Sequence, residues 1–191
     1  MELVSNKSMA IIGYGDIGAA CAKIAKFGFG MKVIGVKRKP DDCSDEYKSY
    51  CDEIVGNDKY ESVISQADFV VGVLPKTAET GDFFNMDSTF SKMKPTSVFM
   101  NIGRGPTVEE DHLIAALQEG KIAGAVLDVF KKEPLPQESP LWTMPNVLIT
   151  PHCAQQDKDF MSDCIFQFAE NLTNFVENKP LVNVRDKKQG Y

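Results

Sequence analysis

Gly13, Gly15 and Gly18 stand in the spacing Gly-x-Gly-x-x-Gly, directly behind the apolar run Ser8-Met9-Ala10-Ile11-Ile12. A turn of this kind suits a dinucleotide. The first glycine permits the tight turn, the second lets backbone approach a pyrophosphate, and the third lets helix and strand pack closely. A helix starting there also offers unpaired N–H groups and a partial positive charge to phosphates. The bland alternative is a tight strand–helix turn without a ligand. The next apolar run ends in Val36-Lys37-Arg38-Lys39, with no acid before Asp41. An acid at that place would hold a ribose 2′-hydroxyl, whereas Lys37, Arg38 and Lys39 suit a 2′-phosphate. The expected cofactor is therefore NADP(H), with NAD(H) as the second choice, and a merely solvated basic turn is the plain rival.

Other chemistry is excluded by composition. The chain has 191 residues, room for one generous domain, and only two histidines, His112 and His152. A His-rich metal site is not expected. The five cysteines, Cys21, Cys43, Cys51, Cys153 and Cys164, include no C-x-x-C pair, which reads as reduced thiols in a cytoplasmic setting. A net charge of −6 with one short basic run disfavours nucleic acid as a partner. No apolar run approaches the roughly 18–20 residues of a membrane span, and the first residues do not form a signal peptide.

The elements that must position the glycine turn follow from periodicity. Short apolar runs alternate with helical segments, the pattern of βαβ units. Strands are expected at Ser8–Ile12, Lys32–Val36, Glu53–Val55, Phe69–Leu74, Ser97–Ile102, Ala123–Val129 and Val147–Ile149, the last as a core strand. Ile17, Cys21, Ile24 and Gly28 recur at helical spacing, so a helix should cover Ile17–Phe27 and stop at Gly28 and Gly30. Asp58-x-x-Glu61 and Thr107-x-x-Glu110 read as capping boxes of two further helices. A helix is expected near Asp87–Met93, and Gly120 should stop the helix carrying Leu113, Ile114 and Leu117. At the end, Met161, Cys164, Ile165, Phe168, Leu172, Phe175 and Val176 form one apolar stripe along about five helical turns. The fold class is α/β: a Rossmann-type, doubly wound, mostly parallel sheet in three α/β/α layers.

Further motifs follow in order: Leu74-Pro75-Lys76-Thr77-Ala78-Glu79-Thr80, Asn101-Ile102-Gly103-Arg104-Gly105, Leu127-Asp128-Val129-Phe130, Glu133-Pro134-Leu135 and Thr150-Pro151-His152. Together with the glycine turn, this set resembles the coenzyme-binding domain of the D-2-hydroxyacid dehydrogenases, over nearly the whole chain. The resemblance implies that Arg104, Glu133 and His152 are catalytic in the reduction of a small 2-keto acid. It is most like the glyoxylate/hydroxypyruvate reductases. Chemistry supports each assignment. Arg104 offers permanently charged donors to a carboxylate and a carbonyl oxygen. His152 can deliver a proton near neutral pH, and Glu133 could bind its other ring nitrogen and favour the imidazolium. The resemblance also places Gly15, Asp16 and Ile17 at the pyrophosphate, Leu74, Pro75, Thr77, Ile102 and Gly103 along the cofactor, and Asp128 at the nicotinamide carboxamide. His112, beside Glu109, Glu110 and Asp111, reads as a surface residue. Cys153 reads as a buried inert thiol. Lys76, Gln155 and Gln156 depart from the family's commoner residues.

The same resemblance implies two parts, a dinucleotide-binding domain over residues 1–155 and a helix and tail over residues 156–191 that cross to a substrate lobe. With the glycine turn beginning at Gly13, the N-terminal substrate lobe is expected to be absent. The chain alone should bind cofactor but turn over weakly, because the cleft would be open to water. A homodimer is the expected assembly. The alternatives are a phosphoglycerate-type dehydrogenase and an inactive nucleotide-sensing or dimerisation module.

Overall fold

The computed structural model describes residues 3–154, 158–184 and 186–187. Gln155 and Gln156 lie outside the described residues. Seven short apolar runs rich in Val and Ile form strands β1 (Ser8–Ile12), β2 (Lys32–Val36), β3 (Glu53–Val55), β4 (Phe69–Gly72), β5 (Val98–Asn101), β6 (Gly124–Leu127) and β7 (Val147–Ile149). They make one sheet in the order β3-β2-β1-β4-β5-β6-β7. Every pairing is parallel. The helices are α1 (Asp16–Lys23), α2 (Asp45–Ser49), α3 (Tyr60–Ile64), α4 (Glu110–Gln118) and α5 (Phe160–Val176). Two compact units result, Met1–Pro151 with the sheet and His152–Tyr191 with α5.

The sheet is buried on both faces because alternate residues enter different cores. Ala10 and Ile12 of β1 join one core with Val63 and Ile64 of α3 and Leu113, Ala116 and Leu117 of α4. Ile11 joins the other with Ala19 and Ala22 of α1. In the first core Phe84, Phe99 and Phe90 pack ring to ring at 5.1 and 5.3 Å between centroids. Gly72 leaves the room for this, since a Cβ there would lie 2.8 Å from the Phe84 ring. Each such ring, wholly removed from water, stabilises by about 1.5–3 kcal/mol.

At the N-terminal edge of the sheet, Asp68 joins neighbouring strands. Its carboxylate accepts from the Ser8 N–H at 2.8 Å and the Ser8 hydroxyl at 2.9 Å. Lys94 Nζ lies 2.6 Å from its other oxygen. Burial alone would raise the Asp68 pKa, but the Lys94 ammonium and the Ser8 donors outweigh it and hold it at about 2.

Several local expectations are corrected. Ile17 and Ile24 do not face the core; they are 57% and 61% exposed, and α1 buries Gly18, Ala19 and Ala22 instead. Small residues win because the helix lies close against β1. After Lys23 the helix widens into a π-turn at Ile24–Gly28, and Gly30 takes φ +64° beyond it. Neither capping box forms. The α3 end is entered through a 3₁₀ turn at Asn57–Lys59 without a side-chain cap, and α4 starts behind Glu109, also uncapped. Thr107 instead donates to the Arg104 carbonyl at 2.6 Å. The helix expected near Asp87–Met93 is one π-turn, Met86–Phe90. β7 is an edge strand rather than a core one, with Leu148 60% exposed. Gly120, at φ +67°, does end its helix segment.

In the second unit, α5 exposes Met161, Ile165, Phe168, Leu172, Phe175 and Val176. No described helix is long and apolar enough to cross a membrane.

Candidate active site

One row of paired residues crosses the sheet near its C-terminal edge: Val36, Ile12, Gly72, Asn101, Leu127 and Ile149. Several residues singled out by sequence follow that row closely. Lys37 comes after β2, Gly13 after β1, Leu74 shortly after β4, Ile102 after β5 and Asp128 after β6. The chain order reverses between β1 and β4, and such a switch point is where open parallel sheets take ligands.

The glycine turn is built by contact rather than by flexibility alone. Gly13 has φ +99°, and a Cβ on it would lie 2.8 Å from the Val73 carbonyl oxygen. A Cβ on Gly18 would meet the Gly13 carbonyl oxygen at 2.9 Å, so this glycine lets α1 approach its own turn. Gly15 differs: nothing lies within 4 Å of where its Cβ would be. Open space above Gly15, at the uncapped start of α1, fits a pyrophosphate seated on helix N–H groups. The intervening Tyr14 is an anchor. Its ring takes the space left by Gly35, where a Cβ would lie 2.5 Å away, and its hydroxyl donates to the Tyr47 carbonyl at 2.9 Å. The Tyr47 hydroxyl in turn donates to Asp16 at 3.2 Å. Ile17 projects into solvent.

The basic turn has three different settings. Lys37 folds back so that its Nζ donates to the Tyr14 carbonyl at 3.3 Å, joining β2 to the glycine turn. Arg38 pairs with Glu79 at 3.3 Å. Lys39 is exposed.

Beyond β4, Thr80 ties the loop. Its hydroxyl donates to the Pro75 carbonyl at 2.6 Å and accepts from the Thr77 N–H at 2.8 Å. Thr77 Oγ1 lies 3.0 Å from the same hydroxyl. Lys76 faces solvent. This loop touches the next one, because a Cβ on Gly103 would lie 2.7 Å from the Leu74 carbonyl oxygen. Buried Asn101 then shapes the Arg104 loop by accepting from the Gly103 N–H at 3.1 Å and donating to the Arg104 carbonyl at 3.3 Å. Arg104 itself is exposed, with one guanidinium nitrogen donating to the Gly103 carbonyl at 2.7 Å.

Asp128 is buried at the end of β6, where the Thr150 hydroxyl donates to its carboxylate at 2.6 Å. Glu133 is exposed and accepts from the Phe130 N–H at 3.0 Å. His152 is exposed, has φ +52° and is the first residue of the second unit, whereas Arg104 and Glu133 belong to the first. His112 is a surface residue whose Nδ1 accepts from the Met86 N–H at 3.3 Å. Cys153 is half-buried rather than buried.

The family profile described as the D-isomer specific 2-hydroxyacid dehydrogenase NAD binding domain matches residues 1–154. The chain belongs to this family. It is 39% identical to glyoxylate/hydroxypyruvate reductase B of Salmonella newport (strain SL254) over 178 residues, 92% of this chain and 52% of that protein. The chain thus spans about half the length of the curated relatives it matches. Its structure resembles that of an NADPH-dependent glyoxylate/hydroxypyruvate reductase from Sinorhizobium meliloti in complex with NADP and sulfate. There the TM-score is 0.88 at 32% identity, over 100% of this chain and 59% of that one. It also resembles phosphoglycerate dehydrogenase from Lactobacillus plantarum, with TM-score 0.77 at 34% identity, over 95% of this chain and 56% of that one.

Within this D-2-hydroxyacid dehydrogenase domain, three supporting residues have no role assigned by sequence: Tyr14, Asn101 and Thr150. Asn101 had a usable signal, a polar residue ending an apolar strand run. Tyr14 and Thr150 had none, because their partners lie far along the chain, at Gly35 and Tyr47 for the first and at Asp128 for the second.

Proposed function

We propose that this chain supplies the cofactor-binding half of an NADP(H)-preferring D-2-hydroxyacid dehydrogenase that reduces small 2-keto acids such as glyoxylate or hydroxypyruvate. The observation that carries the reading is the row of strand ends, with an open glycine turn at one side and the Arg104 loop and buried Asp128 at the other. A bound nicotinamide supplies hydride to C2 of the keto acid. Arg104 binds the carboxylate and the carbonyl oxygen that gains charge. His152 gives that oxygen its proton, and Glu133 tunes the imidazole. Asp128 holds the carboxamide, and its hydrogen bond from Thr150 supports that role.

The preference for NADP(H) rests on Lys37, Arg38 and Lys39 with no acid before Asp41. The relatives named for glyoxylate and hydroxypyruvate reduction support the substrate class over the phosphoglycerate type. A division near residue 155, with the α5 face meeting a substrate lobe, a homodimer and a cytoplasmic setting belong to the same reading. The exposed apolar face of α5 and five cysteines outside any disulfide support it.

Calorimetric titration with NADPH and NADH tests the cofactor, and the expected result is tighter NADPH. NADH binding tighter than NADPH overturns the preference. NADPH oxidation is then assayed with glyoxylate and hydroxypyruvate, on the chain and on a longer parent carrying a substrate lobe. Turnover by the parent and little by the 191 residues alone is expected. No reduction of any small 2-keto acid by the parent overturns the enzyme reading and leaves the nucleotide-sensing module.

A further inference from the structure

Arg38, at the end of β2, reaches across to Glu79 in the loop after β4, with Nη1 3.3 Å from Oε2. The carboxylate is presented there by a fixed loop. The Glu79 N–H donates to the Thr77 hydroxyl at 3.3 Å, and Thr77 is itself held by Thr80. Lys37, the neighbouring cation, is turned back on the Tyr14 carbonyl. Arg38 is therefore the guanidinium of the basic turn that has an acid from another loop beside it.

We propose that Glu79 is a specificity-determining residue for the dinucleotide, because its carboxylate and a 2′-phosphate compete for the Arg38 guanidinium. The proposal rests on the reading that the basic turn takes the 2′-phosphate. A phosphate monoester carries about −1.5 to −2 charge near neutral pH and presents three acceptor oxygens. It matches the guanidinium fork better than a carboxylate does. The phosphate displaces Glu79, but binding is weakened by the ion pair that is lost and by the repulsion of a nearby carboxylate. Both side chains are substantially exposed, at 45% and 75%, so the effect is modest. NADH lacks the 2′-phosphate and does not enter this competition. Glu79 therefore narrows the margin between NADPH and NADH, although it touches neither the glycine turn nor the catalytic residues.

The test is calorimetry with NADPH and NADH on the unmodified chain, on Glu79→Gln, on Arg38→Ala and on the double variant. Glu79→Gln is expected to tighten NADPH by about two- to fivefold, the range for an exposed ion pair. NADH affinity should stay unchanged, which also reports an intact fold. In the Arg38→Ala background the gain should vanish, and in the parent it should shrink as salt is raised. Unchanged or weaker NADPH binding in Glu79→Gln, or equal shifts for both dinucleotides, overturns the role of Glu79. If Arg38→Ala also leaves NADPH unchanged, the 2′-phosphate reading itself fails. If Arg38→Ala weakens NADPH while Glu79→Gln does nothing, only the competition fails.

Discussion

Gly105 and Phe130 are in backbone contact: a Cβ on Gly105 would lie 1.8 Å from the Phe130 carbonyl oxygen. The contact joins the loop that carries Arg104 to the loop in which Glu133 accepts from the Phe130 N–H. Gly105→Ala cannot keep both loops in place, since the obstacle is backbone and not a flexible side chain. The expected loss is about 2–4 kcal/mol of stability, read from urea unfolding. Unfolding at the parental midpoint would show that the two loops are not packed in this way.

Gly15 and Gly13 should separate binding from folding. Gly15→Ala meets open space at φ −112°, so its melting temperature should stay near that of the parent while dinucleotide affinity falls by about tenfold or more. Gly13→Ala combines φ +99° with a 2.8 Å approach to the Val73 carbonyl oxygen. It should lower stability by about 1–3 kcal/mol as well. Parental NADPH affinity in Gly15→Ala would remove the pyrophosphate from that position.

Thr150→Val tests how Asp128 is held. The variant keeps the shape and removes the donor 2.6 Å from a buried carboxylate. Stability should fall by about 1–3 kcal/mol, because Asp128 loses a charge-assisted partner. Affinity for NADPH should fall further than affinity for 2′-phospho-ADP-ribose, a probe without nicotinamide. Equal losses for both probes would place Asp128 away from the carboxamide.

Acid stability should carry the signature of Asp68. Its pKa of about 2 in the folded chain lies below the ordinary aspartate value of 3.8. The stabilisation is therefore fully present above about pH 4 and is lost as the pH falls toward 2. Its size is about 2 kcal/mol. In Asp68→Asn the part of the pH dependence between 4 and 2 should flatten, as measured by urea unfolding at a series of pH values. An unchanged slope would show that the Lys94 and Ser8 contacts do not lower this carboxyl.

Parts of this protein were legible because they depend on local chemistry. Lys32–Val36, Glu53–Val55 and Val147–Ile149 occur at the expected bounds, since β-branched runs ended by Gly, Lys or Pro have few other uses. The glycine spacing marked the turn for the same reason. Where the reading failed, the deciding partner was remote. Asp58 and Thr107 had the right neighbours for capping boxes, yet the chain entered α3 by a 3₁₀ turn and α4 from the extended Val108 and Glu109, and Thr107 bonded to Arg104 instead. Ile17 and Ile24 had the right period for a buried stripe, but close approach of α1 to β1 admitted only Gly18, Ala19 and Ala22.

The sequence by itself determined the α/β alternation, the glycine turn, the basic turn after β2 and the ordered motifs that mark a D-2-hydroxyacid dehydrogenase. All of these are written in neighbouring residues. Only the tertiary structure decided that Tyr14 fills the space of Gly35, that Thr150 holds Asp128, that Gly105 seats against Phe130 and that Glu79 faces Arg38. The strand order creates these pairs by bringing distant segments to one edge of a parallel sheet, and the close packing there selects partners no local pattern encodes.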